Sequence, residues 1–488
     1  MKFLLAIMLA ATAAWGQSAY SGAWTSAGSY VSSRATIPPA AGCGPPLYQC
    51  ARVDIIAAPA PSAPNVGNLT GAGSCFNDPD FGSKVCRMTD SQTLPSNITL
   101  VAGSGGSGDT NPFNTNSTKL LIDSTGGFTF PMNFNPATMT VARMYGTWSL
   151  VTSGVWSYTD PDVFYGLGPT ATSYFKYDTS SPAIPIPTTA ADFNLAGCLG
   201  GSFTATWNSA GGVSKDGTVF AAGFSNSGGQ GGVGALYVAA LKVGSGCQML
   251  NTFNGVITST GGWAPSGTVP GWVGLTDADG FTIHNVKMAK SGDWISITPT
   301  LSSCAPCANT MFFWQVGTLN VVKSTVNMGG HWTSGFTKWI NAAGAAGNYK
   351  IRSFANYNSP ATIIPTVPAG IVPVYDVHMG WPNVDANETL PFFATSHTTN
   401  VPVPNVAWYN EVMGISPVKG TTWRFAHTFS TGQSHRFNDF SAIGAVSQDG
   451  RFYMWSSDWM GTLGSETGAS TCTIGMDCRG DVFIVELK

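Results

Sequence analysis

The chain has 488 residues, of which 43% are hydrophobic and only 10% charged, with a net charge of −3. Soluble domains ordinarily carry about 25% charged residues, so much of this surface must be Ser, Thr, Asn and Gly. No basic or acidic run occurs, which argues against nucleic acid or an anionic membrane surface as a partner. The 59 Gly, 30 Pro and 16 Trp suit short strands and tight turns rather than helices.

Met1-Lys2, the apolar run Phe3–Ala14 and Ala14-Trp15-Gly16 before Gln17 have the charge, length and small-residue pattern of a secretory signal, predicted over 1–16. The run is shorter than the ~20 residues a spanning helix needs, so no membrane span is expected. Residues 17–73 read as an N-terminal extension with a stiff Pro-rich spacer at Ala57–Pro64. Export to a secreted or periplasmic location accounts for the even number of cysteines, which are expected to form disulfides. Four pairs are close in sequence: Cys43 with Cys50, Cys75 with Cys86, Cys304 with Cys307, and Cys472 with Cys478. Cys198 and Cys247 are left as the long-range pair.

From residue 74 onward, strand-like runs follow polar or Gly-rich turns at Lys119–Asp123, Val163–Gly166, Thr218–Ala222, Trp294–Ile297, Thr337–Ile340, Leu390–Phe393 and Arg451–Trp455. Their intervals of 44, 55, 76, 43, 53 and 61 residues lie around the ~40–50 of a propeller blade. The longest interval carries a Gly- and Trp-rich insertion between about Cys247 and Asp279. Ser214-Lys-Asp-Gly217, Ser291-Gly-Asp293 and Ser447-Gln-Asp-Gly450 are the turns that announce three of the seven runs. The final blade, read as two strands ending at Asp481–Leu487, needs completion, and Ser83–Asp90 with Asn97–Val101 is the expected source of its outer pair. These readings predict an all-β chain, a seven-bladed β-propeller over 74–488 closed between N- and C-terminal strands.

Ser447–Gly461, followed by Gly480–Leu487, resembles the last blade of TolB-like and oligogalacturonate-lyase-like secreted β-propellers. The resemblance implies the fold. For chemistry it implies a manganese ion held by histidines near the propeller axis and β-elimination of pectic fragments.

Four of the six histidines fall on a beat: His284, His331 and His378 are 47 residues apart and His435 follows 57 later. Each is expected just before the innermost strand of its blade, where the side chains could converge on a divalent metal (manganese, zinc or calcium). The competing reading is that each caps its own turn, and it is preferred because a repeat propagates structural residues automatically. No cofactor is fixed by sequence alone.

Arg424, His427 and Arg436 form the densest polar cluster of this charge-poor chain and are the candidate catalytic residues of a uronate lyase, one of them serving as the base. Trp332, Trp381, Trp408 and Trp459 lie in loop-like contexts and are candidates for stacking on sugar rings. The favoured function is a non-catalytic exported propeller, acting as a monomer, that binds a polysaccharide or a cell-surface protein through one face. The alternative is a metal-assisted polysaccharide lyase with a His-lined site at the channel mouth.

Overall fold

The computed structural model describes residues 42–58, 69–94, 100–102, 111–124, 127–146, 148–150, 153–168, 171–199, 203–205, 207–225, 236–272, 283–299, 311–324, 332–343, 348–359, 361–362, 377–381, 386–396, 407–418, 420–430, 442–465 and 478–488. Among them every regular element is a strand. No helix there is long and apolar enough to cross a membrane. The signal segment and most of the Pro-rich spacer lie outside the described residues.

A short hairpin, β1 (Cys75–Asn77) and β2 (Lys84–Arg87), precedes the first blade. That blade comprises β3 (Leu100–Val101), β4 (Lys119–Ser124), β5 (Thr129–Asn135) and β6 (Thr140–Arg143). The second is β7 (Ser153–Trp156), β8 (Val163–Leu167), β9 (Ser173–Asp178) and β10 (Thr188–Asp192). The third has six strands, β11 (Trp207–Val213), β12 (Val219–Ser225), β13 (Leu236–Lys242), β14 (Gly246–Asn251), β15 (Val256–Thr260) and β16 (Gly267–Thr268). In the fourth are β17 (Ile283–Met288), β18 (Trp294–Pro299), β19 (Phe312–Gln315) and β20 (Val321–Lys323). The fifth runs β21 (Trp332–Ser334), β22 (Lys338–Ala343), β23 (Asn348–Ser353) and β24 (Ala361–Thr362). The sixth is β25 (Val377–Gly380), β26 (Phe392–Ser396), β27 (Glu411–Ile415) and β28 (Thr422–His427). The seventh is β29 (Gly444–Val446), β30 (Phe452–Ser457) and β31 (Asp481–Glu486), extended by β2 and then β1.

The chain is therefore an all-β, seven-bladed propeller closed between its termini, as expected. Two details of the expected layout change. Neighbouring blades meet through their first strands, β11 with β17, β21 with β25 and β25 with β29, so the first strand of each sheet is the axial one. The seven runs picked out by hydrophobicity are accordingly the second strands, not the innermost. The closing blade also takes three strands from the C-terminus rather than two, and Leu100–Val101 begins the first blade instead of completing the last. The insertion after Cys247 continues the third sheet outward as β15 and β16, and its Trp263 and Trp272 pack on the core between the third and fourth blades.

Blades stack face to face, so second strands are covered on both sides and read as continuous apolar runs. Val219–Ser225 is buried at every position. Two of the turns before them are built by Ser-x-Asp-Gly sequences: Ser214 Oγ donates to Asp216 and accepts from the Val219 amide, and Ser447 does the same with Asp449 and Phe452. Gly217 and Gly450 supply the positive φ, +73° and +71°, that closes each turn.

Ring closure rests on β2 pairing antiparallel with β31, Cys86 opposite Ile484. At its end Asp481, fully buried, accepts from Arg87 Nε (3.0 Å) and Nη2 (2.5 Å), from Arg479 Nη2 (2.8 Å) and from Thr89 Oγ1 (3.3 Å).

Three of the five expected disulfides lie wholly within the described residues. Cys75–Cys86 crosses the β1–β2 hairpin, Cys43–Cys50 closes a loop in the N-terminal segment, and Cys198–Cys247 joins the turn after β10 to β14. The other two pairings are not among them. Cys304 and Cys307, expected to bridge each other, both lie outside the described residues. Cys478 is described: it is buried, forms an isolated antiparallel bridge with Ser465 and is disulfide-bonded. Its expected partner, Cys472, lies outside the described residues.

Replacing Asp481 by Ala would leave two guanidiniums buried without their shared carboxylate. Breaking a buried pair in this way costs about 3–5 kcal/mol, so denaturant unfolding should show Asp481→Ala losing that much stability.

Candidate functional site

Arg424 and His427, two of the three candidate catalytic residues, sit together on β28, the outermost strand of the sixth blade. They are not at the axis. Residues 42–58 form a strap across this outer edge, held by an antiparallel bridge between Arg52 and Arg424, with the Arg424 amide donating to the Arg52 carbonyl at 2.8 Å. Tyr48 anchors the strap: it is buried among Phe393, Trp423 and Phe425 and donates its hydroxyl to the Gly450 carbonyl at 2.8 Å.

Arg424 is wholly buried. Its Nε and Nη2 form a fork onto the Glu411 carboxylate at 2.7 and 2.6 Å, while Nη1 donates to the Ile56 carbonyl (2.8 Å) and to the carbonyl and Oδ1 of Asp54 (both 3.1 Å). Burial pushes the Glu411 carboxyl up from the usual carboxylate range, and the Arg424 fork opposes it. The two-pronged geometry is that of a charged pair. Arg52 in turn holds Asp54 through Nε (3.0 Å) and Nη2 (2.7 Å), and that hydrogen bonding draws the Asp54 carboxyl down to about 2.

His427 faces the turn between β1 and β2 of the closing blade. Its backbone amide donates to Asp78 Oδ2 at 2.8 Å, and its Nδ1 lies 3.1 Å from the same oxygen. Asp78 Oδ1 accepts from the amides of Asp80 (3.0 Å) and Phe81 (3.3 Å), so one buried carboxylate shapes the turn and orients the imidazole together. The Phe81 ring lies 4.9 Å from the imidazole and under the guanidiniums of Arg52 and Arg424 at 5.5 and 5.2 Å. Asp78, Asp80 and His427 are the one group with metal-ligand chemistry and spacing found among the described residues.

An arginine can act as a base only if its guanidinium meets a substrate, and every nitrogen of Arg424 is spent on the strap and Glu411. Its role here is to fasten. Arg436 lies outside the described residues. Of the histidines on the beat, His284 lies on β17 and His378 on β25, both axial strands, but their side chains, like the whole of His331 and His435, lie outside the described residues.

The four candidate stacking tryptophans are interior. Trp332 and Trp459 are fully buried and Trp381 and Trp408 are 3% and 5% exposed. Trp332 donates Nε1 to Ser296 Oγ at 3.1 Å, and its carbonyl accepts from Lys287 at 2.8 Å; the Trp381 carbonyl accepts from Lys290 at 2.8 Å. Trp459 stacks on Phe483, ring centres 4.3 Å apart. These indoles join blades, and their faces are not open to a sugar.

Sequence reasoning missed Asp54 and Asp78, with their neighbours Arg52 and Asp80, because they reach Arg424 and His427 from 370 and 349 residues away, and it missed the pairing of Glu411 with Arg424 because the two meet only across the β27–β28 hairpin. The one available signal was scarcity: in a chain this poor in charge, Arg52-x-Asp54 and Asp78-x-Asp80 stand out.

No family model matches the chain, and no curated protein matches it. Among solved structures it is similar to an oligogalacturonate lyase from Vibrio parahaemolyticus (8% identity, 85% of this chain and 96% of that one, TM-score 0.45). It is also similar to the C-terminal WD40 domain of Sif2 (10% identity, 81% and 98%, TM-score 0.41) and to the Dos1 propeller (10% identity, 77% of each, TM-score 0.37). At this level of similarity they bear on neither ligand nor chemistry.

Two outcomes are expected. Arg424→Ala strands the buried Glu411 carboxylate, lowering stability by about 3–5 kcal/mol and exposing residues 42–58 to limited proteolysis. Asp54, whose folded value is depressed, contributes its ion-pair stability fully above the ordinary carboxylate value and loses it as pH falls toward about 2. Proteolysis of the strap by an acid-active protease should therefore quicken across that interval and be insensitive to pH above it in this respect.

Proposed function

We propose that this protein is an exported, non-catalytic β-propeller that works as a binding scaffold, and that its partner is a protein. The observation that carries the reading is the burial of the side chains an alternative would need: Arg424 is consumed in fastening the strap, and the four tryptophans that would stack on sugar are packed between blades. What the strap offers outward is apolar. Along Arg52–Ile56 the charged residues turn to the cluster, while Val53, Ile55 and Ile56 are 61%, 49% and 67% exposed. An exposed aliphatic strip on an extended segment suits a protein surface better than a hydroxyl-rich glycan. The three disulfides support an oxidising, extracytoplasmic setting.

A second reading, a metal-assisted uronate lyase at the channel mouth, is favoured by the placement of His284 and His378 on axial strands. Incubation with a panel of uronate polymers and manganese separates the two. The scaffold reading expects no unsaturated product, whereas product that accumulates with turnover and disappears on His284→Ala and His378→Ala establishes the lyase. For the partner, a photocrosslinker at Ile56 in the producing cell should give a discrete protein adduct, reduced at least tenfold by Ile55→Asp. Retention on immobilised polysaccharide with no protein adduct would instead identify a glycan partner.

A further inference from the structure

His427 Nε2 is buried and has no hydrogen-bond partner. The residue is 1% exposed, with the rings of Phe81 and Phe429 4.9 and 5.6 Å from the imidazole. Leaving a buried polar atom unpaired is costly, typically about 1–3 kcal/mol, so an orphaned ring nitrogen facing a carboxylate calls for a third group. Asp80 Oδ2 lies 3.8 Å from Nε2, too far for a hydrogen bond, on a side chain that is 30% exposed.

We propose that His427 Nε2 and the Asp80 carboxylate bind a divalent transition-metal ion of the zinc class, with Asp78 as the residue that orients the imidazole. With Nδ1–H donated to Asp78, the lone pair of Nε2 points outward as a ligand, the carboxylate–histidine–metal arrangement. Two ligands at about 2.0–2.1 Å from a tetrahedral ion stand about 3.3 Å apart, so the present separation closes by a small swing of Asp80 on its solvent side. Water completes the coordination from there. An imidazole ligand selects zinc or a similar ion over calcium or magnesium. The charge balance points the same way: Arg52 and Arg424 face Asp54, Asp78, Asp80 and Glu411, leaving two negative charges in excess that one divalent cation would neutralise. The ion would join β28 of the sixth blade to the β1–β2 turn of the seventh, a clasp on the seam where the ring closes. The clasp is independent of whether the partner is a protein or a glycan.

The full-length protein, stripped with chelator and titrated with zinc by calorimetry, tests it. Wild type should bind one equivalent at the clasp and unfold at higher temperature in its presence. Asp80→Asn, at a partly exposed position, should remain folded and lose at least tenfold in zinc affinity together with the thermal shift; His427→Gln should do the same. Replacing His284, His331, His378 and His435 together by Asn should leave this binding intact. Calcium at the same concentration should give no shift. Zinc affinity and thermal shift unchanged in Asp80→Asn, or no zinc binding by wild type, would overturn the clasp.

Discussion

A ring of β-sheets has to close, and the strand that would be left open here is β31. Its free edge would present unpaired N–H and C=O groups to any passing strand. The N-terminal β2 covers that edge, so the β1–β2 hairpin near the start of the chain and its last strand share one sheet. The described segments before β3 then have a reason to pack near the seam between the sixth and seventh blades, and Tyr48, the Arg52–Asp54 pair and the Asp78–Ser83 turn all lie against that junction.

The seam also explains where the charge went. With only 10% charged residues, the chain nevertheless buries Asp481 with Arg87 and Arg479, and Glu411 with Arg424. Buried ion pairs are poor sources of net stability, because desolvation consumes most of what the attraction returns. Their value is that a wrong alignment leaves a charge unpaired. Closure brings together segments nearly 400 residues apart, and a slip of one residue would turn β2 inside out. Pairing Arg87 with Asp481 penalises that slip, and the Arg424 fork does the same for the strap.

The second strands were legible because burial on both faces demands unbroken apolar runs such as Val219–Phe224 and Phe452–Trp455. The axial strands were not. Gly444–Val446 and Leu100–Val101 are too short to show a period, and Trp207–Val213 contains Gly211 and Gly212 at a register shift; they hold their place through neighbours around the axis rather than by their own pattern. Arg424 and His427 were visible as a polar cluster, but their role was not, since it depends on Glu411 across the hairpin and on Asp54 and Asp78 from the far end of the chain. The tryptophans misled for a related reason. Gly- and Pro-rich flanks mark where the chain turns, and in a ring of stacked blades such turns fold back over the interior, so Trp381 and Trp459 end inside it.

Hydrogen exchange at β31 tests the closed ring most directly. If β2 covers its edge, the amides of Val482–Val485 should exchange as slowly as those of β12 in the middle of the third sheet. Exchange at the rate of an open edge strand such as β16 would contradict closure and, with it, the placement of the strap and of every ion pair on the seam.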